Sequence, residues 1–374
     1  MNIQAKTILI ISPQPWGEIF ISKHHYAIEL EMQGNIVYFL NPSSKKDRNS
    51  VNITKPYPEK KLFVVSSSFN NILFVRYHLR IFYSLLVRSW IKKILKKLPK
   101  IDIVWCFESN IFKSLQVFKK SKRIFHVVDP MNENLIAVAK TVDLTVCVSK
   151  RILQQFESIH GVKKMTLNHA LSRNAIQQAK EIDFNNYLIP DKLRVGYIGN
   201  LSLNLIDRKT INTIIYNNPM TEFHFWGPGK GSNLGGETNE LIDSLEHLGN
   251  VFFHKAIPSE DIINTIKHMD IFLLAYNNFL GYFDGSNSHK ILEYLATGKV
   301  VVSTYIDQYS GEEFADFLLM SPDGENDKLP QLFKDVVDYI DIWNSNDKMQ
   351  MRREFATNQS YQANVANILA LINE

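Results

Sequence analysis

The residues richest in possible chemistry lie between Tyr276 and Thr304, in the run YNNFLGYFDGSNSHKILEYLATGKVVVST. A polar, glycine-containing loop there leads into a helical pattern that opens near Ser286–Ser288. Lys290 and Glu293 fall in its first turns, three residues apart, and so share a helix face. A lysine beside the positive end of a helix suits a diphosphate. A carboxylate one turn on can accept two hydroxyl hydrogen bonds, as a ribose diol would offer. Gly298 stands where a glycine closes a helix. A lysine and a glutamate at this spacing also make an ordinary surface ion pair, so the specificity lies in the whole segment.

Other candidates sit where apolar runs end. Asp129, in VDPMNEN, follows the run ending at Val128, where a rigidly held carboxylate can act as a general base. The same position suits a helix cap or a turn. The loop Ser12–Phe20 (SPQPWGEIF) places Trp16 and Gly17 just ahead of a helical pattern, where backbone N–H groups could meet an anion. Of the adjacent His24 and His25, one could face a ligand cleft. His126, inside an apolar run, reads as core. Gly199 in GNLSLNLID would let a phosphate or sugar come close, and FWGPG at Phe225–Gly229 reads as a tight turn.

These loops need strands to hold them. Short β-branched runs predict strands at Thr7–Ser12, Ile36–Leu40, Leu62–Ser66, Ile103–Phe107, Arg123–Val128 and Leu144–Val148. Helical patterns at Ser22–Gln33, Leu79–Leu98, Ile111–Lys119, Asn132–Ala139 and Lys150–Ser158 follow most of them. The stretch 181–192 (EIDFNNYLIPDK) breaks the pattern and reads as a linker. Strands are then expected at Leu193–Ile198, Glu222–Trp226, Val251–Phe253, Ile271–Ala275 and Val300–Thr304. Helices are expected at Asp207–Tyr216, Thr238–His247, Ser259–Lys267 and Ser288–Thr297. The tail reads as two helices, the last from about Asp347 to Ile372. Alternating apolar strands and helices imply two parallel, doubly wound sheets, whose ligands sit at the carboxyl ends of strands.

Composition agrees with two domains. The 374 residues are 45% hydrophobic and 21% charged, which excludes wholesale disorder. The net charge of +4 conceals a division: residues 1–190 hold 28 Lys and Arg against 13 Asp and Glu, and residues 191–374 hold 14 against 25. A basic half joined to an acidic half suggests different partners. Cys106 and Cys147 lie in apolar runs and read as inert core residues of a reducing compartment. No secretory signal is recognisable and no apolar stretch is long enough to span a bilayer.

Leu79–Lys100 carries seven basic residues and no acid. Val87, Ile91, Ile94, Leu95 and Leu98 form an apolar stripe, with Trp90 nearby. The pattern reads as a basic helix lying on an anionic membrane surface, or as a surface helix packing that stripe on a sheet. Nucleic-acid binding is not expected, since stacking motifs and a nucleic-acid fold are missing.

The segment HKILEYLATGKVVVST, behind a strand ending in tyrosine, resembles the donor-nucleotide helix of GT-B-fold glycosyltransferases of the group 1 type. GYIGNL…ID and EFHFWGPG…LGNVFFHKAIPSEDI resemble other parts of their C-terminal domain. PWGEIFISKHHYAIELEMQGNIVYFLNP resembles the start of the N-terminal domain in bacterial enzymes of capsular and teichuronic-type polysaccharides, related to xanthan-type glucuronosyltransferases. The resemblance implies an α/β protein of two Rossmann-like domains facing a central cleft. Residues 1–185 would bind the acceptor, 193–350 the nucleotide sugar, and a helix at 351–374 would return to the first domain.

It further implies a role for each matching residue. Lys290 would contact the diphosphate and Glu293 the ribose. Tyr276, Asp284, Ser286, Asn287 and Ser288 would line the diphosphate and sugar, with Gly199 near the diphosphate. The backbone around His254 and Ile257 would read the base. Asp129 would deprotonate the acceptor hydroxyl. Trp16, Gly17 and His25 would belong to an acceptor or phosphate loop. Retaining members carry a second glutamate eight positions before the one at Glu293; here that position is Gly285, which favours inversion. No DxD motif is evident, so neither metal nor cofactor is expected. The expected activity is sugar transfer from a nucleotide sugar, expected to be UDP-linked, to a lipid-linked or oligosaccharide acceptor in surface polysaccharide synthesis. The enzyme would be cytoplasmic and peripheral on the cell membrane. A sugar-nucleotide epimerase and a non-catalytic binding subunit are the alternatives.

Overall fold

The computed structural model describes residues 5–17, 20–43, 50–69, 78–128, 134–201, 203, 205–227, 240–277 and 287–374. The chain divides into two compact units, Met1–Asn168 with Tyr361–Glu374, and His169–Ser360.

Among the described residues the first unit holds eight strands: β1 (Thr7–Ile11), β2 (Ile36–Leu40), β3 (Val51–Thr54), β4 (Leu62–Ser67), β5 (Ile103–Cys106), β6 (Lys122–Val127), β7 (Leu144–Cys147) and β8 (Lys163–Thr166). They form one sheet in the order β3-β4-β2-β1-β5-β6-β7-β8. All pairings are parallel except β3 with β4. Central strands such as IVWC in β5 are buried residue by residue, because helices cover both faces. The connections reverse direction between β1 and β5, with Ile8 opposite Val37 on one side and Ile103 on the other.

The second unit holds β9 (Arg194–Ile198), β10 (Glu222–Trp226), β11 (Val251–His254), β12 (Ile271–Leu274), β13 (Val300–Ser303) and β14 (Leu318–Met320). Their order is β11-β10-β9-β12-β13-β14, parallel throughout. Here the reversal falls between β9 and β12. Such reversals open a crevice at the carboxyl ends of the two strands.

The expected strands are present to within a residue or two. Three were not foreseen: β3, β8 and β14, all at sheet edges, where half-exposed sequences such as KKMT carry no apolar run. Helix Arg173–Lys180, capped by Ser172, was also missed. Ile111–Lys119 is not a helix; only a 3-10 turn at Gln116–Phe118 forms. Phe112, Leu115 and Phe118 are buried there at a spacing of three, which fits the tighter turn.

The stretch 181–192 is part of the second unit. Phe184 is buried under the Arg353 guanidinium, which also donates to the Ile182 carbonyl at 2.7 Å. Tyr187 donates to the buried Asp270 at 3.1 Å. The division between units falls instead at Asn168 and His169. The expected final helix is two, Asn346–Asn358 and Tyr361–Asn373. Extended Gln359 separates them and its carbonyl accepts from the Leu171 N–H at 2.8 Å. Only the second belongs to the first unit, where Asn364 donates to the Tyr26 hydroxyl at 3.2 Å and to the Asn168 carbonyl at 3.0 Å.

The apolar stripe of helix Arg80–Leu95 is core. Val87, Trp90, Ile91 and Ile94 pack on the first sheet, and the Trp90 Nε1–H donates to Ser67 Oγ at 3.1 Å. That stripe and Trp90 therefore cannot be the membrane-facing surface, because the same burial that drives the helix onto the sheet removes them from solvent. Among the described residues no helix is long and apolar enough to cross a membrane.

Candidate functional site

The second unit gathers its candidate residues at the carboxyl ends of β9 and β12. Gly199, one residue past β9, has φ +153, a conformation that side chains rarely adopt. A Cβ there would lie 2.5 Å from Lys290 Nζ and 2.8 Å from the Tyr197 hydroxyl. The Gly199 N–H donates to the Trp226 carbonyl at 2.8 Å. Gly227, at the end of β10, approaches the Gly199 carbonyl so closely that an added Cβ would sit 1.9 Å from its oxygen. Two glycines thus let two strand ends and a lysine share one small space.

Lys290 opens helix Lys290–Ala296. Its ammonium stands 5.3 Å from the Tyr197 ring centroid and 6.0 Å from that of Tyr276, and donates to the Tyr276 hydroxyl at 3.5 Å. Burial opposes this charge, while the Tyr197 and Tyr276 oxygens and Glu293 favour it, and its pKa lies above the ordinary lysine value. The Tyr197 hydroxyl is buried without a hydrogen-bond partner among the described residues. Glu293, one turn on, is half-buried. Burial pushes its carboxyl up to about 7, against the pull of Lys290.

The neighbouring side chains fix this arrangement. The Tyr294 hydroxyl accepts from the Ile198 N–H at 2.8 Å, and its ring stacks on Phe272 at 4.2 Å. The Tyr276 N–H donates to Thr304 Oγ1 at 3.0 Å. Asn326 Nδ2 donates to the Tyr276 carbonyl and to Asp207 Oδ2, both at 2.8 Å. Asp207 also caps helix Arg208–Asn217 through the Thr210 N–H. Tyr276 is therefore held at both backbone ends.

Other expected donor residues lie around this core. Asn287 is buried, and its carbonyl accepts from His169 Nε2 at 2.7 Å. Ser288 is half-buried, and its carbonyl accepts from the Ile291 N–H at 3.2 Å. Asp284 and Ser286 lie outside the described residues. His254 ends β11 with its ring exposed, 3.0 Å from the His224 ring nitrogen and stacked 4.8 Å from Trp226. Ile257 packs against the core. The Gly227 N–H reaches the His254 carbonyl at 3.4 Å, so the ends of β9, β10 and β11 form one backbone rim.

The first unit presents a second group at the carboxyl ends of β1, β2 and β5. The Trp16 N–H donates to Asn41 Oδ1 at 2.8 Å, and its ring meets Phe20 and Phe39, each at 5.0 Å. Gly17 is exposed, and a Cβ would meet nothing within 4 Å, so nothing there requires a glycine. His24 is wholly buried between Phe20 and Phe39, with Nδ1 accepting from Ile21 and Nε2 facing the Pro15 carbonyl. That satisfies a neutral ring and marks it as structural. His25 stacks on Tyr361 at 5.1 Å, and burial lowers its pKa to about 4. Asp129 lies outside the described residues. His126 is buried as expected and accepts from Trp105 Nε1 at 3.3 Å. The free thiols of Cys106 and Cys147 are buried too, which pushes Cys147 up to about 12.

Sequence reasoning missed Tyr197, Gly227 in its contact role, and two buried charges of the first unit. Lys23 donates to Gln14 and lies 5.9 Å over the Phe107 ring. Glu108 accepts from the Asn110 and Ile111 N–H groups. The available signal was a charged residue directly behind an apolar run, as in CFES. Among the described residues no group of three or more His, Cys, Asp or Glu could hold a metal ion.

No family model matches the chain, and no curated protein matches it in sequence. Solved structures do match it in fold. A UDP-forming α,α-trehalose-phosphate synthase from Burkholderia xenovorans gives a TM-score of 0.72 at 10% identity, covering 99% of each chain. A sucrose-phosphate synthase from Thermosynechococcus elongatus gives 0.72 at 12% identity, covering 98% of each. A glycosyltransferase from Rickettsia africae gives 0.64 at 15% identity, covering 99% of this chain and 98% of that one. The chain has the GT-B fold, with two Rossmann-like, doubly wound parallel sheets.

Proposed function

We propose that this protein is a glycosyltransferase that takes a sugar from a UDP-sugar and transfers it to an acceptor hydroxyl. The observation that carries the reading is the position of the Lys290 ammonium beside Gly199 at the crevice between β9 and β12. A diphosphate there meets a cation, a buried tyrosine hydroxyl and close-approach backbone. Glu293, next on the same helix, is the candidate for the ribose diol. The whole-chain likeness to UDP-forming and sugar-phosphate-forming synthases supports the same class of donor.

The chemistry follows from those roles. The acceptor oxygen attacks the anomeric carbon as the bond to the diphosphate breaks, and the bonding pair leaves with UDP. Lys290 meets that growing charge without reorganising, and the transfer needs no metal. Asp129 takes the acceptor proton, and transfer inverts the anomeric centre. The excess of Lys and Arg in residues 1–190 supports an anionic acceptor, which we take to be a lipid-linked or oligosaccharide chain of a surface polysaccharide.

Calorimetry with a panel of UDP-sugars tests the donor site. Binding by the wild type and its loss in Lys290→Ala is the expected result; equal binding by both refutes it. Nuclear magnetic resonance of the product gives the anomeric outcome. A new sugar nucleotide formed without acceptor would mean epimerisation instead. Unchanged turnover in chelator would bear out the metal-free step.

A further inference from the structure

Helix Arg80–Leu95 and the turn after it bury one face and present another, and the presented face is divided along its length. At about 100° per residue, Ile81, Phe82, Leu85 and Leu86 share an arc with Ser89, Lys92, Lys93, Lys96 and Lys97. The first four are apolar and exposed, at 78%, 62%, 56% and 45%. The four lysines are exposed too, and among the described residues none of their ammonium groups makes an ion pair or hydrogen bond. No carboxylate occurs from Leu79 to Lys100.

Beside the cationic end lies a cavity of about 760 Å³, lined by Leu86, Ser89, Lys93, Lys96 and Lys97 from the helix side and by the end of β4 opposite. Ser67, Ser68 and Phe69 supply that opposite wall, at the same carboxyl edge of the sheet as Trp16 and Glu108. Its walls therefore combine hydroxyl and ammonium groups with the apolar side chains of Val51, Phe69, Leu86 and Trp90. A soluble anion would use the ammonium and hydroxyl groups but leave the four apolar side chains in water. An acidic protein surface would do the same. A membrane lipid uses both ends, with its phosphate at the lysines and its chains at the apolar ridge.

We propose that this cavity binds the phosphate-bearing head group of an anionic lipid in a bilayer, with Ile81, Phe82, Leu85 and Leu86 entering the acyl boundary. The surface deepens the acceptor side of the proposed reaction, and rests on that reading only for what the lipid would carry. It lies in the first unit, so its test is separable from donor binding.

The test is cosedimentation of the full chain with vesicles of phosphatidylcholine alone or of phosphatidylcholine and phosphatidylglycerol in equal parts. Wild type is expected on the anionic vesicles only. Each lysine contributes about fivefold, so Lys93→Gln, Lys96→Gln and Lys97→Gln together weaken binding on the order of a hundredfold. The triple variant Lys60→Gln, Lys61→Gln, Lys120→Gln, with the same change in net charge, stays near wild type. Phe82→Ser with Leu85→Ser also weakens binding, and all variants keep the wild-type calorimetric response to UDP-sugars. The proposal is overturned if wild type binds neither vesicle, or if the two lysine triples behave alike. It is equally overturned if glycerol phosphate in solution displaces the protein from vesicles at concentrations comparable to the lipid, which would make this a soluble-anion site. Binding by the serine variant at the wild-type level would assign the ridge to a protein partner instead.

Discussion

Replacing Glu293 by glutamine should make the unliganded protein more stable and its donor site weaker. In the fold this carboxyl titrates at about 7 because burial penalises its charge. In the unfolded chain it titrates near 4.3. A carboxyl raised on folding stabilises fully below its unfolded value, and that contribution is lost as pH rises through the folded one. Above about pH 8 the wild type therefore carries a buried carboxylate at a cost approaching roughly 3–4 kcal/mol, since each pKa unit is worth about 1.4 kcal/mol. The side chain is half-buried, so solvent screening brings the expected gain from Glu293→Gln to about 2 kcal/mol. Near pH 4 the two proteins should be equally stable. Urea denaturation followed by circular dichroism at the two pH values reads the difference. Calorimetry should show donor affinity falling about tenfold, because the charge-assisted bonds to the ribose diol are lost. A gain equal at both pH values would place the effect elsewhere than in ionisation. Unchanged donor affinity would remove Glu293 from the site.

Further substitutions separate site from scaffold. Lys290→Met should lower UDP-sugar affinity by about 10–100-fold, the range of a hydrogen bond to a charged group, with little change in melting temperature; calorimetry beside a thermal melt checks it. Gly227→Ala drives a Cβ into the Gly199 carbonyl, so a loss of about 2–4 kcal/mol together with weaker donor binding is expected in denaturation and calorimetry. Lys299 is buried, and burial lowers its ammonium to about 7. A lysine depressed on folding costs stability that returns as pH rises from about 7 towards its unfolded value near 10.4, so Lys299→Met should stabilise by about 1–3 kcal/mol at pH 7 and flatten that rise. Trp90→Ala should cost about 3–5 kcal/mol as a core cavity, whereas Phe82→Ala, on the exposed face of the same helix, should cost under about 0.5 kcal/mol in the same urea titration.

The sequence by itself determined most of the strands and the segment that carries the donor chemistry. A central strand of a covered parallel sheet must be apolar on both faces, so runs such as IFLL and VVVS announce themselves without tertiary context. Edge strands have one side in water, and β3, β8 and β14 carried no such mark. Lys290, Glu293 and Tyr276 were legible because they are close in sequence around one loop and one helix. Their meeting with Gly199, Gly227 and the buried Tyr197 hydroxyl depended on strand order, which places β9 beside β12 across 72 residues that local pattern does not connect. The basic helix shows the same limit more sharply. Its periodicity displayed one apolar stripe but could not say whether sheet or membrane covers it; packing into the core of the first sheet, beside the end of β4 and the turn Gln116–Phe118, gave that stripe to the core and left the four apolar residues of the first turns outside. Composition drew the basic and acidic halves, but the chain divides at Asn168 and returns at Tyr361 because Phe184, Tyr187 and Arg353 bind the intervening polar stretch to the second unit. Local sequence chose the elements; contacts between residues far apart in the chain decided which faces meet and which remain free to bind.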